Sequence, residues 1–147
     1  MSQSHEAIAP SSAETRIEIA ETCTRMAVHA DRREWELLRG LFADKVLLDY
    51  TSLSGGEPAT LAPAEIVKGW QSALGAYKAT QHLLGNHLVT IDGDAALCTA
   101  SFQATHRKPD DTLWTLGGSY RFTLERTGDG WRITSVVMTA AWSDGSR

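Results

Sequence analysis

Residues 79–142 read ATQHLLGNHLVTIDGDAALCTASFQATHRKPDDTLWTLGGSYRFTLERTGDGWRITSVVMTAAW. Within this run the segments 79–91, 95–107, 112–126 and 131–142 are rich in Val, Thr, Leu, Tyr and Trp, side chains that suit a pleated surface. Between them stand Asp92-Gly-Asp94, Pro109-Asp-Asp111 and Gly128-Asp-Gly130, all turn formers. Strands joined by tight turns predict an antiparallel meander.

Upstream the periodicity is helical. Ile19, Cys23, Met26 and Ala30 recur at steps of four, three and four, one stripe of an amphipathic helix from Ser12 to about His29. Asp31-Arg-Arg-Glu34 has the spacing of a capping box, which predicts a second helix with Trp35, Leu38 and Leu41-Phe42 on its buried side. Lys45–Thr51 is a short strand-like run closed by the Ser54-Gly-Gly56 turn. Pro63 suits the first position of a third helix, whose buried side is Ile66, Trp70, Leu74 and Tyr77. Helices followed by a meander predict an α+β fold, with a curved, mostly antiparallel sheet wrapped round N-terminal helices to leave a pocket.

The 147 residues are the length of one ordinary domain. Expected are a loose N-terminal tail at 1–12, a single domain over 13–142 and a C-terminal tail at 143–147. The net charge of −4 argues against a general grip on nucleic acid or an anionic membrane. No apolar run approaches the length of about 18 residues that spans a bilayer. Met1–Ser12 lacks the basic and apolar regions of a signal peptide, so a cytoplasmic location is expected. Cys23 and Cys98 lack CxxC spacing and read as reduced, buried thiols, with a disulfide between them as the open alternative.

Phosphate-loop, dinucleotide, serine-hydrolase and zinc-protease motifs are all missing from the sequence. His82 and His87, five apart on one strand, are expected on opposite faces and make a poor metal pair. No metal and no cofactor is expected. What remains is a set of polar residues where apolar ones would fit the pattern. Asp31 ends the first helix, and can be either a helix cap or a functional carboxylate. His82 sits in Thr80-Gln-His-Leu-Leu84, and imidazole is the side chain that moves protons near neutral pH. His106 ends a strand whose period-two face carries Phe102 and Ala104. Tyr50 follows Asp49, and its ring makes it the cheaper of the two to turn inward. Asn86 is read as structural, at a bulge or strand end near Gly85.

These residues fall in a recognisable order. His29–Tyr50 (HADRREWELLRGLFADKVLLDY) is similar to the opening signature of the SnoaL-like branch of the nuclear-transport-factor-2-like superfamily. Gln81–Asn86 (QHLLGN), Asp92–Ala95 (DGDA), Gly117–Tyr120 (GGSY) and Asp129–Ile133 (DGWRI) follow in family order, so the resemblance runs from about residue 13 to 142. It implies a cone-shaped α+β fold with a deep pocket, in members that often form dimers or trimers. In site pattern the chain most resembles scytalone dehydratase, where a histidine paired with an aspartate removes a proton. Tyrosines and a second histidine there handle the carbonyl and the departing water.

On that resemblance Asp31, His82, Tyr50 and His106 are the candidate catalytic residues, while Trp35, Trp70, Phe102 and Tyr120 are candidates for the substrate-binding wall. The Asp31–His82 pair also resembles the dyad of a dehydrochlorinase and of bile-acid dehydratases. One departure limits the likeness: Ala30 stands where the scytalone enzyme has a second tyrosine. The implied activity is a cofactor-independent elimination or isomerisation on a small cyclic hydrophobic molecule. A polyketide cyclase and a non-catalytic ligand-binding or assembly module of the same fold are the alternatives.

Overall fold

The computed structural model describes residues 12–147; of the expected N-terminal tail, residues 1–11 lie outside the described residues. Helix α1 (Ser12–Asp31) is followed by the short α2 (Trp35–Arg39), strand β1 (Phe42–Asp49), one turn of helix α3 (Thr51–Ser54), strand β2 (Ala59–Leu61) and helix α4 (Pro63–Leu74). The meander follows as β3 (Ala79–Asp92), β4 (Ala95–Arg107), β5 (Leu113–Thr127) and β6 (Gly130–Asp144). The six strands form one sheet in the order β2-β1-β6-β5-β4-β3. All neighbours are antiparallel except β1 and β6, which run parallel. The sheet is curved and unclosed, with β2 and β3 at its edges.

Helix α1 crosses the concave face, packing on β3, β4 and β6. Its buried residues, Thr15, Ile19, Thr22, Cys23, Met26, Ala27 and Ala30, form a stripe at helical spacing. The stripe meets Phe122, Ile133, Val136 and Cys98, none of which is exposed at all. Cys23 and Cys98 are both buried free thiols. On β5, Gly118 is a packing requirement: a Cβ there would collide with the Thr139 carbonyl oxygen and crowd the Phe102 ring. Among the described residues no helix is long and apolar enough to cross a membrane.

Several local expectations are corrected. The Asp31–Glu34 capping box does not form. Helix α1 runs on to Asp31, and Glu34 at the N-cap of α2 makes no side-chain cap bond. The Glu34 carboxylate accepts instead from His29 Nδ1 at 3.0 Å, and the Asp31 carboxylate turns to β3. The local pattern is met, but His29, one turn back on α1, takes the Glu34 carboxylate and tertiary donors on β3 take that of Asp31. Helix α2 stops at Arg39 because Leu41 O already accepts from Ile133 N on β6 (2.9 Å), so Leu41 and Phe42 leave the helix for the sheet. After β1, Asp49 Oδ1 accepts from Thr51 N at 3.0 Å and Thr51 Oγ1 at 2.6 Å; those two bonds begin α3 and hold the Asp49 carboxyl below its usual range. At the C-terminus Ser143 and Asp144 belong to β6 rather than to a tail.

Strand β3 carries the fold's most consequential irregularity. Its register against β4 slips by one residue between Gly85 and Leu88, and Asn86 there has φ 55°. Before the slip Thr80, His82 and Leu84 face the helix; after it His87, Val89 and Ile91 do. His82 and His87 therefore share the inner face, contrary to the alternation expected for an unbroken strand.

Candidate active site

A cavity of about 370 Å³ lies between α1, α3, α4 and the inner face of β3–β6. That is more than twice the roughly 150 Å³ that holds one benzene in an engineered protein cavity. Met26, Ala27 and Ala30 of α1, Trp70 and Leu74 of α4, and Phe102, Leu116 and Met138 of the sheet supply an apolar wall. Into it project His82, His106, Tyr50, Tyr120 and Tyr77, with Ser54 and Arg147 also lining it.

Asp31, at the last turn of α1, reaches across to β3. Its Oδ2 accepts from the His82 backbone N–H at 2.7 Å and its Oδ1 from His82 Nδ1 at 2.7 Å. Thr80 Oγ1 donates to the same Oδ1 at 3.0 Å. A carboxylate can only accept, so in a neutral His82 the proton sits on Nδ1 and the Nε2 lone pair is left free on a residue that lines the cavity. The pair is largely shielded from water, with side-chain exposures of 14% for His82 and 17% for Asp31.

His106 is held the same way by a different acceptor. Its Nδ1 donates to the Trp114 carbonyl oxygen at 3.0 Å, and its ring stacks on Trp114 with centroids 4.2 Å apart. Neutral His106 therefore also presents Nε2 as an acceptor. Burial pushes it below its ordinary value; the carbonyl bond and Asp31 oppose that shift, while His82 and Arg147 add to it. The two imidazoles meet edge to face, 5.7 Å between centroids.

Tyr50 and Tyr120 form the other polar feature, their ring centroids 6.4 Å apart. Burial drives the Tyr50 phenol well above its usual value, helped by the neighbouring Tyr120 phenol, to which it donates a hydrogen bond. Tyr120 is pushed up to about 12, again mainly by burial, against the bond it accepts from Tyr50. Both remain neutral hydroxyls, and with the Tyr50 proton given to Tyr120, the Tyr120 proton is the one left for an oxygen that gains charge.

The structure thus brings Asp31, His82, Tyr50, His106, Trp70, Phe102 and Tyr120 around one cavity, Asp31 behind His82 and the others on its wall. Trp35 is a correction. It packs, partly buried, against the core and does not line the cavity, because the α2 stripe specifies burial but not which side of the core is met. Sequence reasoning missed Thr80, whose same-face spacing to His82 was a readable signal. Tyr77 was expected on a buried stripe, and its ring lies tilted by 51° against His106, 4.8 Å between centroids. Arg147 had no signal at all, lying in an expected tail. Among the described residues no group of three or more His, Cys, Asp or Glu is placed to hold a metal ion.

Helices laid on the concave side of a curved open sheet, with a polar set inside an apolar cavity, give the protein an NTF2-like fold. The chain belongs to the SnoaL-like family: the profile of the SnoaL-like domain matches residues 11–137. An uncharacterised protein of Mycobacterium tuberculosis is 31% identical over 131 residues, 84% of each chain. The crystal structure of a protein from Kribbella flavida superposes with a TM-score of 0.87 at 33% identity, covering 91% of this chain and 95% of that one. A candidate scytalone dehydratase from Novosphingobium aromaticivorans shares the fold, with a TM-score of 0.79 at 17% identity over 92% of each chain.

Proposed function

We propose that the protein is a cofactor-independent lyase or isomerase of the dehydratase type, acting on a small cyclic hydrophobic molecule that carries a carbonyl. The observation that carries the reading is the 2.7 Å bond from His82 Nδ1 to Asp31, which frees Nε2 as a base beside an apolar cavity. The fold shared with a candidate scytalone dehydratase supports it.

In the proposed reaction His82 Nε2 takes a proton from the carbon next to the carbonyl. The C–H electron pair moves toward the carbonyl, and its oxygen is met by the hydroxyl proton of Tyr120, to which Tyr50 donates in turn. Asp31 faces the imidazolium that forms. Collapse of the enolate expels a hydroxyl from the adjacent carbon, and the proton on His82 leaves with it as water. Return of that proton to another carbon instead gives isomerisation.

His106 takes a role different from the one the resemblance implied. With its Nδ1 proton committed to the Trp114 carbonyl and burial disfavouring its charge, it accepts a hydrogen bond from a substrate hydroxyl rather than supplying the leaving-group proton.

The test uses 5-nitrobenzisoxazole, a flat carbon acid whose ring opens to a coloured phenolate once a base removes its proton. Wild-type protein is expected to open it faster than buffer. His82→Ala should lose that acceleration, by roughly 10²–10⁴-fold, while keeping the wild-type circular dichroism. Turnover in His82→Ala within a few-fold of wild type rejects the mechanism and leaves the cavity as a binding site.

A further inference from the structure

Arg33 stands at the corner between α1 and α2 with φ 58°, in the left-handed region that an ordinary side chain enters at a cost of about 1–2 kcal/mol. Helices commonly end on glycine there. What the arginine gains is visible in its side chain. Nη1 donates to Ala30 O at 2.9 Å and to Thr80 Oγ1 at 2.9 Å, and Nη2 donates to Leu74 O at 3.1 Å. One planar group thus joins the end of α1, the start of β3 and the end of α4. A lysine ammonium, a single point on a flexible stem, lacks that fork.

The chemistry of the donors fixes the direction of the chain of bonds. A guanidinium has no acceptor, so Thr80 Oγ1 must accept from Arg33. The one hydroxyl proton of Thr80 is then free to go only to Asp31 Oδ1, 3.0 Å away. Thr80 is 9% exposed, so little water competes for either bond. Asp31 consequently receives three donors: Thr80 and His82 Nδ1 on Oδ1, and the His82 backbone N–H on Oδ2. Lined up this way, the carboxylate keeps all three bonds in one plane only, and one of its two equivalent oxygens stays aimed at Nδ1.

We infer that Arg33 and Thr80 are positioning residues that act in series on Asp31, holding His82 in the tautomer that exposes Nε2. The inference rests on the proposed role of His82 as a base. Its structural half, the tautomer, is nevertheless measurable without any turnover.

The experiment follows His82 by long-range proton–nitrogen NMR of the imidazole in ¹⁵N-labelled full-length protein, with the signal assigned by its loss in His82→Gln. Wild type and Thr80→Ser are expected to show one Nδ1–H tautomer with a slowly exchanging proton. Thr80→Val and Arg33→Met should show a mixture of tautomers, faster exchange, and a kcat for 5-nitrobenzisoxazole roughly tenfold lower at unchanged KM. Arg33→Lys should resemble Arg33→Met, because the charge alone does not make the fork. The double variant Arg33→Met/Thr80→Val should fall no further than Thr80→Val, as links in series do.

A single Nδ1–H tautomer and wild-type kcat in Thr80→Val overturns the proposal. So does a double variant whose loss is the product of the two single losses, since Arg33 would then be only a tie between helix ends. A tautomer that depends on Thr80 and Arg33 in a protein that never opens the probe upholds the positioning and rejects the base.

Discussion

Strand β3 holds two histidines on the same face, each bonded to helix α1, and they differ in the group that they meet there. Before the bulge His82 meets the Asp31 carboxylate at 2.7 Å; after it His87 Nε2 meets the Thr24 hydroxyl at 3.0 Å. A carboxylate only accepts and so decides which nitrogen holds the proton. A hydroxyl both donates and accepts, and leaves that choice open. His82 lines the cavity and His87 does not. Position on an inner face is therefore common to both, and the partner and the void beside it separate a candidate base from a packing residue.

The comparison breaks most visibly at the acceptor. Asp31→Asn replaces it with an amide that can also donate, so the His82 tautomer is no longer imposed. Turnover of the nitrobenzisoxazole probe is expected to fall by at least about a hundredfold with the fold intact. The matching change at the other histidine, Thr24→Val, should leave turnover within about twofold. Equal losses in the two variants would mean that the carboxylate is not special.

The bulge that puts both histidines on one face gives the next effect. Asn86 occupies the left-handed region at φ 55°, where Val pays for its branched Cβ. Asn86→Val is expected to cost about 1–2 kcal/mol in urea unfolding, and Asn86→Gly to stay within about 1 kcal/mol of wild type. Equal stability of the two would show that the register slip does not depend on that backbone conformation.

The smallest effect is a pH slope. Burial lowers His87, and burial with the neighbouring His82 and Arg147 lowers His106, both from an ordinary 6.5. The folded state then binds fewer protons than the unfolded chain. Unfolding free energy should accordingly be level above about pH 7 and fall as pH drops through 6.5 and below. His87→Gln and His106→Gln should each flatten part of that fall, read from thermal midpoints between pH 5 and 8. A steeper fall in either variant would mean that the histidine is raised, not lowered, by folding.

Much of the architecture was legible from period alone. The stripe at Ile19, Cys23, Met26 and Ala30 and the meander after residue 79 correspond to α1 and to β3–β6, because burial on one face imprints its spacing on the residues. Ends and parities were harder. Asp31 and Glu34 have the spacing of a capping box, yet each carboxylate found a stronger partner elsewhere. Counting five residues from His82 to His87 gave opposite faces, and the one extra residue at the bulge reversed the answer. Trp35 showed that a buried aromatic need not border the cavity.

By itself the sequence determined the order of elements, the inward set of side chains in each regular stretch and the residue types available for acid–base chemistry, since these follow from local periodicity and composition. Only the tertiary structure decided which donors reach Asp31, which imidazole nitrogen is left bare, and that Thr80 and Arg33 stand behind the pair. Those facts depend on contacts between residues about fifty positions apart, and a hydrogen bond is set by tenths of an ångström that no spacing along the chain encodes.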